Sequence, residues 1–166
     1  LPELSRVSRC AERGLADSLA PTQRGMMSAV VEAARAWIGT PYLHQASCKG
    51  AGTDCLGLLR GIWREIHGDE PRVVPPYTAD WGEPTGQEVL LQAAQEILQP
   101  VVLGQAVPGD ILLFRMRPGA VAKHLGILAE TGSVPAFIHA YSGHGVVISP
   151  LSGPWQRKIA AVFRFP

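Results

Sequence analysis

The chain predicts an α+β domain with helices packed on one face of an antiparallel sheet. The apolar spacing is helical, with a period of about 3.6, as far as Pro100, and strand-like, with a period of about 2, beyond it. Helices grouped before strands, rather than alternating with them, segregate to one side of a sheet. The 166 residues are also the size of one domain, without internal repeats or low-complexity tracts.

The first helix is expected to open at Ser28 as N-cap. It places Val30, Ala33, Ala34, Trp37 and Ile38 on one face and stops at Gly39 and Pro41. A loop of small and polar residues, Tyr42 to Asp54, leads to a second helix. Thr53 or Asp54 is its N-cap, and Leu56, Leu59, Ile62, Trp63 and Ile66 form its buried face. Residues 68–84 carry Pro71, Pro75, Pro76 and Pro84 and read as a stiff surface loop. Thr85-Gly86-Gln87-Glu88 reads as a capping box ahead of a third helix with Val89, Leu90, Ala93, Ala94 and Ile97 inward. Strands are expected over Asp110–Arg115, His124–Glu130, Ala136–Tyr141, Val146–Ser149 and Ile159–Phe165, in a sheet of five to six antiparallel strands.

Residues 1–27 differ from the domain at 28–166. They hold Arg6, Arg9, Arg13 and Arg24 and a helical pattern around Ser8 to Leu19, but no apolar core of a secretory signal. The Met26-Met27 pair suggests an alternative translation start, with the upstream stretch a gene-model extension; a docking arm is the rival reading. The net charge of +1, without a basic stripe, argues against nucleic acid. No run of about 20 apolar residues exists to insert in a membrane. Cys10, Cys48 and Cys55 are an odd set and not a disulfide framework. A Cys48–Cys55 bridge fits the spacing but would consume the most reactive position. His44, Cys48 and Cys55 lack the second ligand pair of a zinc site, so neither metal nor cofactor is expected.

Cys55 carries the chemistry. In the first turn of a helix, unpaired N–H groups and the positive dipole end favour a thiolate. His124 and His139 fall on consecutive strands joined by a turn at Gly132 to Pro135, and paired strands bring side chains about 5 Å apart. One imidazole then serves Cys55 as base and the other orients it, in the manner of papain. We assign these roles to His124 and His139 in that order. The Cys55 backbone N–H is a natural oxyanion donor. Asp54 reads as a cap rather than an acid, since a carboxylate acting on Cys55 would oppose ionisation. His44 is a loop residue near the cleft, His67 suits a helix C-terminus and His144 a hairpin turn.

Five motifs in order resemble the NlpC/P60 family of cell-wall peptidases: Gly39-Thr40-Pro41-Tyr42, Thr53-Asp54-Cys55-Leu56-Gly57, Val107-Pro108-Gly109-Asp110-Ile111, His124-Leu125-Gly126-Ile127 and Ile138-His139-Ala140. The resemblance spans roughly residues 28 to 165 and implies a papain-like fold. It also implies a cysteine endopeptidase acting on peptidoglycan stem peptides, usually between D-glutamate and the diamino acid. Tyr42 matches a tyrosine the family sets beside the nucleophile, as a second oxyanion donor or as packing. Leu56 departs from the serine many members carry after the nucleophile, leaving the backbone N–H unchanged. For this substrate Tyr77 and Trp81 are candidates for an aromatic cleft wall, and Lys49, Lys123, Arg115 and Arg117 for its carboxylates. Gly52 to Leu59 and Pro75-Pro76-Tyr77 look most like the branch encoded with tail genes of phages and gene transfer agents. That branch implies tail or baseplate partners and synthesis in the cytoplasm without a signal peptide. It also implies action at the cell wall as part of a particle. The rivals are a tail-tip structural protein with vestigial catalysis, a CHAP-like amidase, and a lipid acyltransferase, for which no membrane-facing segment is found.

Overall fold

The computed structural model describes residues 15–166; Cys10 and most of the expected Ser8–Leu19 helix lie outside them. In chain order the elements are α1 (Pro21–Ala36), β1 (Ser47–Cys48), β2 (Gly52–Thr53), α2 (Cys55–His67), α3 (Val89–Ile97), β3 (Gln99–Val101), β4 (Ile111–Arg115), β5 (Ala122–Glu130), β6 (Ala136–Tyr141), β7 (Gly145–Pro150), α4 (Gly153–Gln156) and β8 (Ile159–Arg164). β1 and β2 form a small hairpin, and the other six strands make one antiparallel sheet in the order β3-β8-β4-β5-β6-β7. The fold is α+β, as the segregated periods predict.

Three local expectations are corrected. α1 starts seven residues before Ser28, at Pro21, whose fixed φ and missing N–H suit a first helical position. The division at 27/28 therefore falls inside a helix, and Met27 is buried. On α2 the deepest stripe is Gly57, Leu58, Gly61 and Ile62, while Leu56, Leu59, Trp63 and Ile66 pack at its margin. Gly57 sets that rotation: a Cβ there would lie 1.8 Å from the Ala46 carbonyl oxygen. The capping box does not form, and α3 begins only at Val89. The Glu88 carboxylate is drawn away to Arg115 and to the Ala122 N–H at 2.9 Å. The extra strand, β3, holds Pro100; on a sheet edge a residue without an N–H is tolerated.

The central strands are apolar on both faces. Ile111, Leu113, Leu125, Ile127, Ile138 and Phe163 meet Val30, Trp37, Leu58, Ile62 and Leu90 from the helices. Leu112, Phe114, Leu128, Phe137 and Val162 form the opposite face, where Leu151 and Trp155 pack. Asp110, fully buried at the head of β4, accepts from Arg164 at 2.7 and 2.8 Å and from the Val107 N–H at 2.8 Å.

Candidate active site

Asp54 is the N-cap of α2, its Oδ1 accepting from the Gly57 N–H at 2.7 Å. Its Oδ2 accepts from the Gln45 N–H at 2.7 Å and from the Tyr77 hydroxyl at 2.6 Å, with His44 Nδ1 at 3.5 Å. The proline-containing loop is thereby tied to the helix start, and His44 and Gln45 also hold the Tyr77 carbonyl at 2.9 and 2.7 Å. Cys55 follows as the first helical residue, partly buried, its thiol directed at the Lys123 carbonyl 4.0 Å away. Cys48 is also free, so no bridge consumes Cys55.

The expected resting thiolate is corrected. Burial, then the Asp54 carboxylate, pushes the Cys55 thiol up to about 12. A helix N-terminus favours an anion by at most about 2 kcal/mol, under two pKa units, whereas burial alone can shift a group by about 3–5 units. Desolvation outweighs the helix terminus and favours the neutral thiol over the thiolate.

The two histidines meet diagonally. β5 and β6 pair Ile127 with Ile138 and Leu128 with Phe137, and the same register puts His139 opposite Gly126. Gly126 leaves the space for that diagonal: a Cβ there would lie 2.7 Å from Phe137 Cδ2 and 3.1 Å from His139 Cβ. His124 Nε2 lies 2.8 Å from His139 Nδ1, and His139 Nε2 lies 3.0 Å from Ser149 Oγ on β7. Trp155 covers both imidazoles, 5.9 and 5.3 Å between ring centroids, with Phe114 and Phe137 beside them. Burial foremost lowers His124 to about 3, helped by His139 and Lys158; burial and then His144 lower His139 to about 4.

These depressed values carry a stability signature. An unfolded histidine titrates near pH 6.5, so between there and about pH 4 the unfolded chain binds the extra protons. Stability is therefore expected to fall as pH falls through that window, by up to about 1.4 kcal/mol per pH unit per histidine. Urea unfolding at about pH 7 and about pH 5 measures it; equal free energies would refute the neutral buried pair.

Cys55 and His124 line one cleft of about 150 Å³ together with Tyr42, Asp54, Tyr77, Trp81 and Lys123. All seven residues expected from sequence as catalytic, supporting or cleft-wall groups are thus within this cleft or, for His139, bonded to a residue that lines it. A larger apolar groove of about 680 Å³ adjoins it, sharing Leu56, Tyr77 and Trp81. The cations proposed for substrate carboxylates are already paired. Lys49 meets Glu65 at 2.6 Å, Lys123 and Arg117 meet Glu83 at 2.9 and 3.1 Å, and Arg115 pairs with Glu88. His67 packs between Trp63 and Phe165, and His144 stacks on Tyr141. Sequence reasoning missed Ser149, which no motif marks, and the anchoring of Tyr77 by His44 and Gln45. Among the described residues no group of three or more His, Cys, Asp or Glu is placed to hold a metal, and no helix is long and apolar enough to cross a membrane.

A cysteine at a helix N-terminus beside a histidine pair on adjacent antiparallel strands defines a papain-like α+β domain. The chain belongs to the NlpC/P60 family, whose profile matches residues 39–164. It is 31% identical to the gamma-DL-glutamyl hydrolase of Bacillus subtilis strain 168 over 82% of this chain and 29% of that protein. It is 30% identical to the murein DD-endopeptidase MepS/murein LD-carboxypeptidase of Escherichia coli K12 over 74% of this chain and 53% of that protein. The chain thus spans between about a quarter and about half of these relatives' lengths. Among solved structures, the NlpC/p60 domain of the peptidoglycan hydrolase SagA aligns with a TM-score of 0.58 at 22% identity, covering 84% of this chain and 98% of that one. A lipoprotein-like member of the family from Staphylococcus aureus Mu50 aligns with a TM-score of 0.56 at 20% identity, over 84% of this chain and 41% of that one.

Proposed function

We propose that this protein is a cysteine endopeptidase that hydrolyses peptidoglycan stem peptides at the bond between D-glutamate and the diamino acid. The observation that carries the reading is the shared cleft of Cys55 and His124, with His139 bonded behind His124. His124 Nε2 is engaged by His139, which leaves Nδ1 for the thiol proton. As Sγ attacks the carbonyl carbon, its proton passes to Nδ1, and Nε2–H donates to His139. The transfer creates two opposite charges side by side, whose attraction offsets much of their desolvation. The Cys55 N–H and the Tyr42 hydroxyl stabilise the oxyanion. His124 then protonates the leaving amine, and a water deprotonated by the same imidazole hydrolyses the thioester.

The bond assignment draws on the family and on the relative named as a gamma-glutamyl hydrolase. The motif resemblance at Gly52 to Leu59 and Pro75 to Tyr77 supports a role in a phage-like tail that breaches the wall, with baseplate proteins as partners. The test is digestion of purified peptidoglycan by the full chain, followed by mass spectrometry of released fragments. New termini at D-glutamate and the diamino acid are expected. Cleavage at the muramoyl–alanine amide would replace this reading with an amidase. Intact peptidoglycan in the presence of folded protein would replace it with a structural tail component.

A further inference from the structure

We propose that Ser149 is a positioning residue of this site: its hydroxyl, as acceptor at the end of the His124–His139 chain, holds the one proton arrangement that lets His124 carry charge. This rests on the reading of Cys55 and His124 as the reacting pair. When His124 is charged, both of its ring nitrogens are donors, so Nε2–H must donate to His139 Nδ1 at 2.8 Å. His139, neutral, must then carry its proton on Nε2, and the group facing that N–H at 3.0 Å is Ser149 Oγ. At rest the opposite tautomers are also satisfied, because a serine hydroxyl can donate as well as accept. Only the charged state fixes its role.

The sheet explains how a residue ten positions downstream reaches the site. Phe137 pairs with Ser149 and His139 with Val147, so the serine stands diagonal to His139 on its face of the sheet. His124, His139 and Ser149 thus make one line across β5, β6 and β7. Phe114, Phe137 and Trp155 wall the two imidazoles and bury both, while Ser149, half-buried, stands at the outer end of the chain. The other titratable groups beside the pair are Tyr141 and His144 from β6 and its turn and Lys158 over the Trp155 ring at 5.2 Å, while Cys55 from α2 lines the same cleft as His124. Among the described residues, Ser149 Oγ is the hydrogen-bond partner of His139 Nε2, and none of these other groups reaches it. Ser149 does not line the cleft, so it acts through His139 and not on substrate.

The experiment follows alkylation of Cys55 by iodoacetamide against pH, read at the Cys55 peptide by mass spectrometry. Alkylation at neutral pH runs through the thiolate–imidazolium pair, whereas at alkaline pH the thiol ionises outright and the histidines no longer matter. Ser149→Ala is expected to lower the neutral rate about tenfold relative to the alkaline rate, as expected for one unsatisfied buried donor. It should lower kcat on peptidoglycan with KM unchanged. Ser149→Thr restores the ratio, and Ser149→Asp, which accepts but cannot donate, keeps it at or above the wild-type value. A purely structural serine would show no such split between acceptors and alanine. A wild-type ratio in Ser149→Ala overturns the proposal. If His124→Gln also leaves the ratio unchanged, the Cys55–His124 pairing itself falls; if His124→Gln abolishes the neutral rate while Ser149→Ala does not, only the serine's role falls.

Discussion

Replacing Cys55 with alanine is expected to abolish stem-peptide cleavage while leaving the fold intact. Removing the nucleophile of a comparable acyl-transfer enzyme costs on the order of 10⁶ in kcat. A loss of at least about 10⁴ is expected here, the residual reflecting only substrate binding and the oxyanion donors. The structural cost is small because the thiol is only partly buried, its hydrogen bond to the Lys123 carbonyl is long at 4.0 Å, and Asp54 caps α2 independently of it. Cys55→Ser should be nearly as inert as alanine. An alcohol is far less acidic than a thiol and a weaker nucleophile, so the same imidazole cannot activate it to a comparable degree. Muropeptide mass spectrometry beside thermal unfolding checks both points. Appreciable cleavage by the alanine variant would remove Cys55 from the chemistry, and a large drop in Tm would show that it serves the fold instead.

The site was legible in sequence where local rules govern it. Asp54 as cap and Cys55 as first helical residue follow from backbone donors that any helix start must satisfy. The pairing of His124 with His139 follows from two short strands joined by a tight turn. Three features were not legible, each decided by non-local contacts. The ionisation of Cys55 turns on how much water the cleft excludes, which the dipole argument cannot register. The failed capping box turns on Arg115 and Ala122, more than 25 residues downstream, competing for Glu88. The cation candidates turn on acids such as Glu65 and Glu83, which reach them first. Ser149 combines both cases, since its parity on β7 is local but its value depends on the register of three strands.

The largest effect on stability is expected at Asp110, far from any thiol chemistry. Asp110→Ala should destabilise the protein by about 3–5 kcal/mol, the usual cost of removing one partner from a buried ion pair. The aspartate is fully buried, and Arg164, at the end of β8, is nearly so. Their two hydrogen bonds, 2.7 and 2.8 Å, join the first residue before β4 to the last residue of β8, so the pair clamps the register of two neighbouring strands. Asp110 holds the arginine above its ordinary range, a measure of how much the charge depends on that carboxylate. Without it the guanidinium stays buried and unpaired, and the Val107 N–H loses its acceptor as well. Arg164→Leu leaves the opposite orphan, but its aspartate still accepts from the Val107 N–H, so its cost should be smaller than that of Asp110→Ala. The double variant Asp110→Leu with Arg164→Leu removes both charges and should recover much of the loss, since well-packed apolar groups often replace a buried pair at little cost. Denaturant unfolding of the three variants reads the asymmetry directly; additive losses in the double variant would mean that each side chain stabilises the sheet by packing alone.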